Sequence, residues 1–96
     1  MADSLRIDKF LFFARFLKTR SLAAGLVEAG EVRLNEAVVA KASQGVKVGD
    51  RLVFPTGKRW RRVTVLALPS RRGPAPEAQA CYREDPPPPA DADSPL

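Results

Sequence analysis

The chain has 96 residues, with 16 Lys plus Arg against 11 Asp plus Glu, no His, one Cys and nine Pro. This is one domain's worth of sequence with a modest core, and one Cys excludes an internal disulfide. Residues 1–72 hold 15 bases and six acids, whereas residues 73–96 hold one base and five acids.

Asp3 or Ser4 is placed to cap a first helix over Leu5 to Phe16. Ile7, Phe10, Leu11, Ala14 and Leu17 recur at helical spacing and make one apolar stripe. Phe12, Phe13 and Phe16 lie outside it. Core packing is expected for them, and Phe13 is the candidate for stacking on a base. Lys18-Thr19-Arg20-Ser21 breaks the pattern, and Ser21 suits the N-cap of a second helix over Leu22 to Ala29, closed by Gly30. Leu22, Leu26 and Ala29 are expected to face inward, with Ala23 and Val27 flanking them.

The period then changes from helix to strand. Glu31 to Leu34 alternates, Asn35-Glu36 makes a tight reversal, and Ala37 to Val39 returns as a hairpin partner. Glycine is the ideal residue where Glu36 stands. Lys41 to Gln44 reads as loop, Arg51 to Phe54 as a strand, and Trp60 to Leu68 as a last long strand. Trp60 is expected to close one edge of the sheet with its neighbouring arginines facing water, or else to serve a cation–π or binding surface.

Residues 69–83 read as an irregular extension in which Glu77 to Tyr82 adds a short helical turn. From Glu84 onward the acidic, proline-rich tail over 84–96 lacks an apolar anchor and is expected to be disordered. The fold class is therefore α+β, a domain over 1–68 with two helices packed on a small antiparallel sheet.

The missing His removes the commonest general base, the usual serine and cysteine catalytic pairs, and most zinc chemistry. No cofactor, metal or catalytic residue is expected. Cys81 has no His to activate it and reads as an inert thiol. No apolar run approaches the ~20 residues of a membrane span. Met1 to Phe16 mixes acids and bases and lacks the pattern of a secretory signal, so the expected setting is a reducing cytoplasm without a membrane partner.

The basic excess points to a polyanion. Arg6, Lys9, Arg15, Lys18 and Arg20 fall in the first helix and the turn after it, with Thr19 and Ser21 among them. Arg33 and Lys41 follow near the hairpin. Phosphate recognition uses these types, with Arg as a planar fork, Lys as a point charge and hydroxyls or helix-start amides as neutral donors. Arg6 and Arg15 stand roughly 180° apart on an ideal helix, so they cannot serve one phosphate together. One of them is expected to be structural, paired with Asp8 or with an interhelical carbonyl.

The stretch RIDKFLFFARFLKTRSLAAGLVEAGEVRLNEAVVAKASQGVKVGDRL resembles the S4 RNA-binding domain family over residues 6–52. It carries R-I-D-K, K-T-R-S, G-x-V, a V-x-L-N turn, K-A-S and V-x-V-G-D. The continuation, with Arg71-Arg72 and PEAQACYRE from Pro76, resembles the small ribosome-associated heat-shock branch of that family. The resemblance implies RNA binding through the first two helices and the hairpin, carried by Arg6, Lys9, Lys18, Thr19, Arg20, Ser21, Arg33, Asn35 and Lys41. Arg15 and Phe13 are possible additional contacts. It implies structured RNA as partner, ribosomal RNA of the large subunit in particular, with a role in heat shock and recycling of stalled subunits. A monomer is expected. Two features depart from the family pattern: Glu36 replaces the usual Gly, and an acidic tail stands where a basic helix is usual. The competing readings are a helix-turn-helix DNA binder over residues 5–29 and a small regulator acting through protein contacts. For the former, Leu22 to Ala29 offers only Glu28 to read bases.

Overall fold

The computed structural model describes residues 3–57 and 59–85. In chain order the elements are β1 (Leu5–Arg6), α1 (Ile7–Phe13), α2 (Arg20–Glu28), β2 (Arg33–Leu34) and β3 (Ala37–Val38). Then come β4 (Gly45–Val46), β5 (Arg51–Thr56), β6 (Arg59–Val65), α3 (Ala75–Gln79) and β7 (Tyr82–Asp85). An antiparallel sheet runs β3-β2-β5-β6-β7, and β1 pairs separately with β4. The α+β architecture read from the sequence is the one found.

Alternation along the two long strands decides which face meets the helices. Leu52, Phe54, Val63 and Val65 are fully buried and join Ile7, Phe10, Leu11, Ala23 and Val27 in one core. Phe16 ties the helical layer to the sheet. Its ring lies 4.9 Å from Phe54 and 4.6 Å from Tyr82, with the Arg61 guanidinium 4.8 Å above it.

The first helix is shorter than its apolar stripe suggests. Leu5 and Arg6 are extended against Val46 and Gly45, and the Ile7 amide donates to the Gln44 carbonyl at 2.8 Å. At the other end Arg15 takes φ +67°, the left-handed conformation that closes a helix. The Arg15 amide donates to Phe12 and that of Phe16 to Leu11, both at 3.0 Å, which swings Phe16 into the core. A non-glycine residue there costs about 1 kcal/mol. A 2.6 Å bond from Arg15 Nε to the Gly73 carbonyl offsets it.

The second helix starts earlier than expected. Thr19, not Ser21, is its cap, and its hydroxyl accepts from the Leu22 amide at 3.0 Å. Ala23 and Val27 face the core while Leu22 is 53% exposed, so the inward face is rotated from the one predicted. Gly30 at φ +78° closes the helix as the sequence indicates.

Asn35 and Glu36 both have positive φ, +50° and +76°, the signature of a two-residue type I′ turn. Asn tolerates that conformation; Glu does not. Glu36→Gly is expected to raise stability by about 1 kcal/mol, read as a higher denaturant midpoint with an unchanged slope. A lower midpoint would mean that the contact between Glu36 and Arg51, 4.0 Å apart, holds the turn.

The expected disorder from Glu84 is corrected in its first two residues. Glu84 and Asp85 belong to β7, opposite Val63 and Arg62. The Arg61 Nε donates to Glu84 at 2.8 Å, and this bond holds the Glu84 carboxyl below its usual range. A strand edge pairing with β6 thus supplies the anchor that composition lacks. The remaining tail, 86–96, lies outside the described residues. The expected extra helical turn appears as α3, two residues early. Cys81 is buried, its thiol donates to the Glu77 carbonyl at 3.5 Å, and burial pushes its pKa up. Among the described residues no helix is long and apolar enough to cross a membrane.

Candidate nucleic-acid interface

Asp8 organises the basic cluster. It is the one buried charged residue among those described, 2% exposed in an otherwise apolar helix face. Such a carboxylate survives burial only with several donors. It has them: Arg6 bonds it twice, Nε to Oδ1 and Nη2 to Oδ2, each at 3.1 Å. The Lys9 amide donates to Oδ1 at 2.7 Å, and Arg20 Nε reaches Oδ2 at 3.4 Å. Burial pushes the Asp8 carboxyl up, but the Arg6 bond, the Lys9 amide and the Arg20 charge outweigh it and hold it low.

The consequence is geometric. Arg6 precedes α1 and Arg20 opens α2, yet one carboxylate gathers both, with side chains about half exposed (45% and 46%). Two guanidiniums on one carboxylate leave a net positive charge facing solvent. The Asp8 amide also lies 3.4 Å from the Ala42 carbonyl, which brings the loop carrying Lys41 beside them. Lys18, Thr19 and Ser21 flank Arg20 and are exposed, and Lys9 is half-buried. The amides of Arg20 and Ser21 head the helix, where no intrahelical acceptor exists. Arg6, Lys9, Lys18, Thr19, Arg20, Ser21 and Lys41 therefore share one neighbourhood.

Three predicted site residues, Arg15, Asn35 and Arg33, sit elsewhere, and Phe13 is turned to a neighbouring ring. Arg15 is committed to the Gly73 carbonyl at the far end of α1. Phe13 is half-buried beside Phe12, 5.9 Å between rings, and Phe12 itself lies under Arg72. Asn35 laces the hairpin to the sheet. Its amide donates to Asp50 at 3.1 Å while its oxygen accepts from the Arg51 amide at 2.9 Å. Arg33 points to the outer face of the sheet, where it lines a hollow with Val53, Trp60 and Arg62. Trp60, opposite Pro55, is 56% exposed, and Arg61, expected to face water, lies instead over the Phe16 ring.

The role of Asp8 is only half visible in the sequence, as a partner for one of Arg6 and Arg15. A fuller signal is present: an acid three residues before buried Leu11 needs more than one donor. Nothing in the linear pattern reveals that Arg20 arrives as well, because that depends on the packing of α2 against α1.

The model of the S4 domain matches residues 5–52 of this chain. Heat shock protein 15 of Escherichia coli is 40% identical over 86% of this chain and 62% of its own length. The heat shock protein 15 homolog of Haemophilus influenzae is 42% identical over 83% of this chain and 60% of its own length. The chain thus spans about three fifths of the length of these curated relatives. The RQC P-site tRNA stabilizing factor of Listeria monocytogenes is 39% identical over 62% of this chain and 63% of its own length. Among solved structures, Vibrio cholerae heat shock protein 15, described as trimeric, superposes with a TM-score of 0.81 at 40% identity. That match covers 86% of this chain and 83% of the other. Its trimeric state gives no support to the expected monomer. A family match over half the chain, joined to the same fold in a relative of 40% identity, makes this chain a member of the S4 domain family.

Proposed function

We propose that this chain is an RNA-binding module, without enzymatic chemistry of its own, that holds structured RNA of the large ribosomal subunit. The observation carrying this reading is the pairing of Arg6 and Arg20 on buried Asp8, which presents two oriented guanidiniums to solvent. Fork-shaped donors fixed in direction suit phosphate oxygens, and the neighbouring Lys9, Lys18 and Lys41 supply further charge. Thr19, Ser21 and the helix-start amides supply neutral donors around them. A-form RNA hides its base edges in a deep, narrow groove, so binding of this kind follows shape and backbone more than sequence.

The cellular role we infer is service on stressed or stalled large subunits in the cytoplasm. It is supported by relatives whose names refer to heat shock and to stabilising a P-site tRNA. A DNA-binding reading is less well supported, because Arg20 is held on Asp8 and the other exposed side chains of α2, Ser21, Leu22 and Glu28, are a poor set for reading major-groove bases. A competition gel-shift tests the proposal. A folded large-subunit RNA fragment should displace labelled RNA at least about tenfold better than duplex DNA of equal length, a gap of ~1.4 kcal/mol. Equal competition by the two would reject RNA as the preferred partner.

A further inference from the structure

The outer face of the sheet carries a second cluster that the helical surface does not use. Antiparallel register places Arg33 opposite Val53, Val53 opposite Arg62, and Pro55 opposite Trp60. All of them point away from the core, because Leu52, Phe54, Val63 and Val65 occupy the alternate positions. The result is a shallow hollow of about 400 Å³ lined by Arg33, Glu36, Val53, Trp60 and Arg62.

The charges on this face are not balanced. Arg51 lies 4.0 Å from Glu36, and Arg83 lies 3.4 Å from Asp85. Asp85 also accepts from the Thr64 hydroxyl at 3.3 Å. Arg33 and Arg62 have no ion-pair partner among the described residues. They stand two strands apart, about 10 Å, on either side of apolar Val53. Beside them Trp60 is more than half exposed and makes no aromatic or cation–π contact within the described residues. Isolated apolar residues on a surface are ordinary, but an open indole beside two unpaired guanidiniums is a combination that nucleotides recognise.

We propose that this outer sheet face is a second nucleic-acid site, which takes an unpaired nucleotide by stacking its base on Trp60 and holding the flanking phosphates on Arg33 and Arg62. A single strand fits the observation better than a duplex, since only an unpaired base offers its face to an indole. It also fits better than a protein segment, because two unpaired cations about 10 Å apart stand beside one aromatic platform. The site stands on the opposite side of the sheet from the core and the helices. It would let one molecule hold a structured RNA on the helical surface and a neighbouring loop on the sheet.

Trp60 is the sole tryptophan of the chain, so its fluorescence reports on this face alone. The experiment titrates the full chain with octauridylate at low salt while following Trp60 emission. Saturable quenching is expected, weakening with salt at a log–log slope of about −1.4 for two phosphates on a single strand. Arg33→Ala and Arg62→Ala should each raise the apparent dissociation constant at least about threefold. Arg20→Ala, on the helical surface, should leave it within a factor of two. Absence of quenching, or quenching that Arg33→Ala and Arg62→Ala leave unaltered, overturns the proposal. Loss of quenching in Arg20→Ala also overturns it, by assigning the single strand to the helical surface instead. Because the helical surface is assayed with folded RNA, either site can fail without the other.

Discussion

Asp8→Asn is expected to weaken RNA binding about tenfold, although it removes a negative charge from a basic surface. Simple charge counting predicts the reverse. The carboxylate is nearly inaccessible to a ligand, so its repulsion is mostly spent on the two arginines that it holds. An amide can keep one acceptor for the Lys9 N–H but cannot bind Arg6 with both oxygens. Releasing two long side chains returns rotamer freedom that binding must then remove, about 0.5–1.5 kcal/mol for each. Stability falls too, by about 1–3 kcal/mol for a lost charge-assisted bond. Affinity measured by filter binding at fixed salt, beside a denaturation curve showing the variant folded, separates the two effects. Unchanged or tighter binding would remove Asp8 as the organiser of the site.

The same carboxylate predicts a pH dependence. Its pKa in the folded protein is lowered, so its contribution to stability is fully present above the ordinary carboxylate pKa of about 4. That contribution is lost as pH falls through the lower folded value. Glu84, lowered by its bond from Arg61, acts in the same direction. Acid titration of the wild type should therefore lose stability below about pH 4, and Asp8→Asn should lose less across that window.

Phe16→Ala is expected to have the largest effect on stability, about 3–4 kcal/mol. Phe16 bridges three parts of the fold, touching Phe10, Phe54 and Tyr82, and it carries Arg61 on its face. Truncation leaves a cavity where α1 ends and strips the Arg61–Glu84 pair of its apolar floor. For a domain of this size each kcal/mol is worth about 4–8 °C, so the melting temperature should fall by at least about 12 °C. RNA affinity measured well below the transition should change less than twofold, because the ring packs on Phe54 and Tyr82 beyond the end of α1, whereas Asp8 lies in its first turn. A small thermal shift would mean that β7 and Phe16 contribute little to the core.

How much of this was legible beforehand depends on the range of the interaction. Alternation along β5 and β6 and the apolar stripe of α1 are local patterns, and they gave the sheet and the core. Gly30 closing α2 is also a local rule. The boundaries of α1 were not legible, because Leu5 and Arg6 are pulled into a strand by residues 45 and 46. Nothing local marks Arg15 as left-handed either; its partner is Gly73, across the fold. Glu84 and Asp85 read as tail because composition sees acids and prolines, not the edge of β6 that awaits them. The basic cluster was partly legible. Lys18, Thr19, Arg20 and Ser21 are consecutive in the sequence, whereas Arg6 joins them only through Asp8. Arg33 separated from them because a strand's pleat, rather than proximity to the hairpin, decides its direction.

The most direct test of the phosphate-binding surface is the salt dependence of affinity for a folded large-subunit RNA fragment. With the five cations Arg6, Lys9, Lys18, Arg20 and Lys41 engaged, the log–log slope should be about −4. Lys18→Ala combined with Arg20→Ala should make that slope shallower by about 1.5 and weaken binding to every RNA alike. Parallel lines for the variant and the wild type across the titration would contradict the account.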